Sequence, residues 1–112
     1  MIHVLFVCHG NICRSTMSQF VMQYLVEAQQ LQDQFYIDSA ATSREEIGND
    51  VHYGTKAKLR EMNIPFTHHA ARQMTKKDYM DFDYLIGMDE ANLRNMQRIS
   101  GGDPQHKIYS LL

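Results

Sequence analysis

At 112 residues, 44% of them hydrophobic, the chain is long enough for one domain with a modest core and too apolar to be an intrinsically disordered segment. Eleven basic against thirteen acidic residues leave a net charge of −2, so bulk electrostatics give no support to a nucleic-acid partner. There is no run of about 18 apolar residues to span a membrane. The opening Met1–Val7 has neither a basic leader nor a small-residue cleavage site, and two closely spaced cysteines cannot staple a secreted fold, so the cytoplasm is the expected compartment.

Residues 2–7 form a continuous apolar run with Val, Leu and Phe, the pattern of a strand buried on both faces. After a loop of Cys, His, Gly and Asn, the residues Met17, Phe20, Val21, Tyr24, Leu25 and Ala28 recur at helical spacing and predict an amphipathic helix over 15–30. Phe35-Tyr36-Ile37 is a second short strand. Asp50 is a candidate cap for a helix over 51–62, with Pro65 just beyond. Thr75-Lys76-Lys77-Asp78 has capping-box spacing and opens a short helix. Residues 83–88 form a third strand. Asp89 starts a helix to about 99, closed by Gly101-Gly102, and residues 107–112 form a fourth strand. This alternation predicts a single α/β domain over 1–112, with a four-stranded parallel sheet between helices on both faces. Ligands in such sheets bind beyond the carboxyl ends of the strands, where the loop after the first strand lies.

That loop, Cys8-His9-Gly10-Asn11-Ile12-Cys13-Arg14-Ser15, carries the chemistry. Between a strand end and a helix start, successive backbone N–H groups can turn inward as an anion nest, to which the helix N-terminus adds unpaired donors. Gly10 and Asn11 are the residue types that tolerate a left-handed curl. The planar fork of Arg14 can grip two phosphate oxygens. A thiol at the centre of such a positive cradle is a poised covalent nucleophile.

Val7-Cys8-x-Gly10-Asn11-Ile12-Cys13-Arg14-Ser15, with its cysteine so near the N-terminus, resembles the signature of the low-molecular-weight protein-tyrosine phosphatases. Ile37-Asp38-Ser39-Ala40, His69-Ala70-Ala71-Arg72-Gln73 and Met88-Asp89-Glu90-Ala91-Asn92 resemble further stretches of that family, so the likeness covers essentially the whole chain. The resemblance implies a Rossmann-like three-layer fold and hydrolysis of phosphotyrosine proteins or small aryl phosphates through a phosphocysteine on Cys8, without metal or cofactor. It implies a phosphate site, open also to sulfate or vanadate, made by His9, Gly10, Asn11, Ile12, Cys13 and Arg14. Ser15 would donate a hydrogen bond to the Cys8 sulfur, Asn11, Ser39 and His69 would hold the loop, and Cys13 would form a protective disulfide with Cys8.

The family's general acid lies in a D-P dipeptide after the fourth strand. The only D-P here, Asp103-Pro104, precedes that strand and belongs at the opposite edge of the sheet. Asp89 is on the correct edge but reads first as a helix cap. The expectation is a C-terminally truncated domain of weak activity, with part of one sheet face uncovered and a homodimer as one way to cover it. The aromatic that the family presents between Thr42 and Asn49 is replaced by Ser43-Arg44-Glu45-Glu46-Ile47-Gly48. His9 is expected to be exposed, and the adjacent His68 and His69 to point apart rather than share a metal. The competing readings are a non-catalytic phosphate-binding module, arsenate reductase on the same fold, which needs cysteines beyond Cys13, and a phosphocarrier, which does not need Arg14.

Overall fold

The computed structural model describes residues 1–112 throughout. The elements in chain order are β1 (Ile2–Cys8), α1 (Arg14–Ala28), a 3-10 turn (Gln32–Gln34), β2 (Phe35–Ala41), α2 (Tyr53–Glu61), α3 (Lys76–Asp81), β3 (Tyr84–Gly87), α4 (Glu90–Ser100) and β4 (Ile108–Ser110). All strand pairs are parallel, in the order β2-β1-β3-β4. The chain runs from β1 outward to β2, then returns to the other side of β1 for β3 and β4. The strand order therefore reverses at β1, and its carboxyl end is the crevice where such sheets bind ligands.

Two faces of the sheet are built differently. Leu5, Val7, Ala40 and Leu85 pack against Met74, Tyr79, Phe82 and Met96, which come from α3, α4 and the segments beside them. On the opposite face Val4, Phe6 and Ile37 pack against Met22 and Val26 of α1. A third cluster joins Phe20 of α1 to Val51, Leu59 and Ile64, so α2 lies against α1 rather than against the sheet. Leu5, Leu59, Leu85 and Met96 are fully buried, each contributing about 1.5–3 kcal/mol of hydrophobic stabilisation.

Several boundaries differ from the sequence reading for physical reasons. β2 extends to Ala41 because residues 38–41, poor in β-branched side chains, pair in register with Leu5–Cys8 of a buried central strand. β4 is held to three residues. α2 is not capped by Asp50: it begins after His52, whose Nδ1 accepts from the Gly54 N–H at 3.1 Å. The Asp50 carboxylate instead accepts from the N–H groups of Val51 and His69 and from Lys56 Nζ. Lys56 foremost, then those amides, hold it well below the usual carboxylate range. The capping box of Thr75 and Asp78 and the Asp89 cap of α4 are present, and Gly101 closes α4 in the left-handed region at φ 82°.

The apolar stripe of α1 is not its most buried side. Ser15, Thr16, Gln19, Phe20 and Val26 are buried, whereas Tyr24, Leu25 and Ala28 are exposed. Met17, Val21, Met22 and Leu25 instead line an open apolar groove of about 340 Å³ with Phe6 and Leu111. Beside it Tyr84 and Tyr109, 5.6 Å apart, remain nearly half exposed on the same sheet face. Part of that face is thus apolar and uncovered.

Candidate active site

Cys8 is the last residue of β1, opposite Ala41, and its side chain is buried. Asn11 sits at φ 60° and is fully buried; its left-handed backbone aims its N–H at the Cys8 sulfur, 3.3 Å away. Gly10 does not adopt a positive φ, contrary to expectation. Its lack of a side chain serves a close approach instead, because a Cβ there would stand 3.3 Å from Glu46 Cγ.

Ser15 Oγ lies 3.0 Å from Cys8 Sγ and accepts from Asn11 Nδ2 at 2.9 Å. The Cys8 thiol donates to that oxygen, and once the sulfur is ionised the Ser15 O–H is the donor that can turn toward it. Asn11 Oδ1 accepts from the Arg72 N–H at 3.2 Å and meets His69 Nε2 at 2.8 Å. A backbone N–H can only donate, so Oδ1 is fixed as the acceptor and the His69 proton is assigned to Nε2. The same nitrogen lies 3.3 Å from Ser39 Oγ, which donates to Gln19 Oε1. Burial is the main cause that holds the His69 pKa below its ordinary value, which favours the neutral ring.

The outer wall of the loop is tied down by its own carbonyls. Cys8 O accepts from the Thr42 N–H, His9 O from the N–H and Oγ of Ser43, and Ile12 O from the His52 N–H. Cys13 precedes α1 without a side-chain cap, so the first-turn N–H groups of a 15-residue helix face the loop without a capping side chain. Cys13 is exposed and receives a hydrogen bond from Thr55 Oγ1 at 3.3 Å; both cysteines are free thiols. His9 is exposed and pairs with Glu45 at 2.9 Å.

Arg14 stands at the rim, half exposed, with Nη1 2.9 Å from Asp89 Oδ2. The other Asp89 oxygen accepts from the Asn92 N–H at 2.8 Å. The Asn92 amide first, then Arg14, depress the Asp89 pKa, the opposite of what a proton donor near neutral pH needs. Asp103 lies at the other end of β4: burial raises its pKa, but Tyr79 Oη and the N–H groups of Lys107 and Ile108 outweigh that and keep it low. His68 pairs with Asp50 while His69 turns to Asn11, and no three His, Cys, Asp or Glu side chains come close enough to hold a metal ion.

Of the residues singled out in the sequence, Asn11 and Ser15 touch the Cys8 sulfur, and His69 and Ser39 follow behind Asn11. Arg14 and Asp89 pair at the rim, while His9 and Cys13 turn to Glu45 and Thr55. The sequence reading missed Gln19, the Arg72 N–H, Thr55 and the His9–Glu45 pair. A signal existed for Gln19: with Ser15 and Thr16 it puts polar groups on one face of α1, beside the loop.

The family model for low molecular weight phosphotyrosine protein phosphatase matches residues 3–112. The human protein of that name is 47% identical over 97 residues, covering 87% of this chain and 61% of its own. The low molecular weight protein-tyrosine-phosphatase YfkJ of Bacillus subtilis is 42% identical over 112 residues, covering all of this chain and 72% of its own. The YfkJ crystal structure superposes with a TM-score of 0.96 at 40% identity, over 100% of this chain and 70% of that one. That of SP-PTP from Streptococcus pyogenes gives 0.90 at 41% identity, over 98% and 71%. The chain therefore spans about three fifths of the length of the mammalian relatives it matches. On the match of the family model across nearly every residue, the chain belongs to the low molecular weight phosphotyrosine protein phosphatases.

Proposed function

We propose that the protein hydrolyses phosphotyrosine and small aryl phosphates through a phosphocysteine on Cys8. The observation that carries this reading is the Cys8 sulfur held by the Asn11 N–H and Ser15 Oγ, at the start of α1, which no side chain caps. In the first step the Cys8 thiolate attacks phosphorus, an S–P bond forms and the P–O bond to the aryl group breaks. The loop amides and Arg14, released from Asp89, stabilise the equatorial oxygens. In the second step water attacks phosphorus, the S–P bond breaks, and the Ser15 O–H supports the departing thiolate. The same cradle takes phosphate, sulfate or vanadate. Cys13, at the far end of the same loop, would capture an oxidised Cys8 as a disulfide. The uncovered apolar face is the surface through which two copies would pair.

A second reading, phosphate binding without turnover, is favoured by one observation: Asp89 is an ionised cap and Arg14 partner, not an acid. Burst rates on aryl phosphates of graded leaving-group pKa separate the two. A burst with phosphocysteine trapped on Cys8, lost in Cys8→Ser, supports hydrolysis. A steep fall with rising leaving-group pKa means that no residue of 1–112 protonates the leaving oxygen; losing such a catalyst costs about 10²–10⁴-fold. Phosphate binding with no burst from any substrate overturns the proposal.

A further inference from the structure

A cavity of about 750 Å³ lies away from Cys8, and no residue of the 8–15 loop lines it. It opens between β2 and α3. One wall is aromatic: His3, Tyr36 and Phe82 have ring centroids 5.7–6.3 Å apart, and the His3 and Phe82 planes stand at 88°. Tyr36 is half exposed there. The other wall is acidic, with Asp38, Asp78 and Asp81 against a single guanidinium, that of Arg72. Arg72 takes both oxygens of Asp78 and one of Asp38, so Asp78 is satisfied. Asp38 Oδ1 and Asp81 Oδ1 take no hydrogen bond from the protein. The only partner of Asp81 is Lys77, four residues before it on an exposed helix face, a pairing worth a few tenths of a kcal/mol.

We propose that this cavity binds a small aliphatic di- or polyamine. An ammonium ion within about 6 Å of aromatic faces is attracted by their quadrupoles, and a carboxylate opposite completes its charge. Two anionic anchors on different elements, Asp38 on β2 and Asp81 on α3, suit two ammonium groups, with the methylene chain between them running over Tyr36 and the exposed Met80. The volume falls within the usual range for small-molecule sites, and three carboxylates against Arg72 and Lys77 leave the site with a net negative charge. The site has a path to the loop: the Arg72 side chain forms its floor while the Arg72 N–H donates to Asn11 Oδ1.

The test is a ¹⁵N–¹H shift titration of the whole 112-residue chain with spermidine and with putrescine. Sodium chloride at equal ionic strength and butylamine are the controls. The expected result is saturable shifts at Tyr36, Asp81 and Phe82, with the Arg72 amide following, and affinity for the diamine above that for butylamine. Tyr36→Ala and Asp81→Asn, both at exposed positions, should each weaken binding about three- to tenfold. Shifts that do not saturate, that sodium chloride reproduces, or that survive both substitutions overturn the proposal; equal affinity for butylamine overturns the two-anchor arrangement on which it rests.

Discussion

Replacing Asn11 by alanine should cost more stability than any other single change in the loop. The side chain is fully buried and joins three groups: it donates to Ser15 Oγ and accepts from the Arg72 N–H and His69 Nε2. Ser15 keeps Cys8, and His69 keeps Ser39 at 3.3 Å, so two of the losses are partial. The Arg72 N–H loses its side-chain acceptor, at about 1–3 kcal/mol for a buried donor left unsatisfied. Asn11 also sits at φ 60°, where alanine costs roughly 1–2 kcal/mol. The sum is about 2–5 kcal/mol, or a melting temperature lower by roughly 10–20 °C for a domain of this size. Thermal unfolding by circular dichroism reads it. Asn11→Gly separates the two terms, since it removes the hydrogen bonds and leaves the backbone free. A melting temperature for Asn11→Ala within about 2 °C of the parent would refute the reasoning.

Arg14→Lys keeps the charge and loses the fork, so aryl-phosphate turnover should fall by the equivalent of roughly 3–4 kcal/mol with little change in melting temperature. Gly87→Ala should destabilise by about 1–3 kcal/mol in a denaturant titration, because its Cβ would stand 2.8 Å from Met96 Sδ and 3.0 Å from Leu93 Cδ2 where β3 meets α4. His69 has a folded pKa depressed chiefly by burial, so below about 6.5 the unfolded chain binds a proton that the folded chain resists. The melting temperature should therefore drop as pH falls through that window toward the folded pKa, and His69→Gln should flatten the drop.

The loop was legible because its chemistry is local: a strand, a nest and a helix start follow one another in eight residues, and Asn11 fell in the left-handed position that suits it. Gly10 was misread because a sequence shows that a side chain is missing but not what stands in its place; here it is Glu46, from a distant segment. The Asp50 cap failed for a related reason. In sequence it stood just before the predicted helix as a candidate cap, but Lys56 and the His69 amide competed for its carboxylate in space, and His52 took the cap. β2 was read too short because residues 38–41 lack strand propensity, and pairing with β1 overrode it.

The misassigned face of α1 shows how one helix serves two demands. Its amino-terminal turns must bring polar atoms to the loop, so Ser15 and Gln19 face inward with Thr16 and displace the apolar stripe sideways. Gln19 then reaches Ser39 on β2, and Ser39 approaches His69, so the helix that supports Cys8 from below also fixes the ring that holds Asn11 from behind. The displaced stripe, Met17, Val21 and Leu25, is left to line the groove with Phe6 and Leu111. Burying polar groups at the carboxyl edge and exposing apolar ones beside the sheet are two consequences of the same rotation of α1. A substitution that polarised the groove, such as Leu25→Gln, acts on the half of the helix remote from Cys8 and leaves the hydrogen-bonded chain from Gln19 to Asn11 in place.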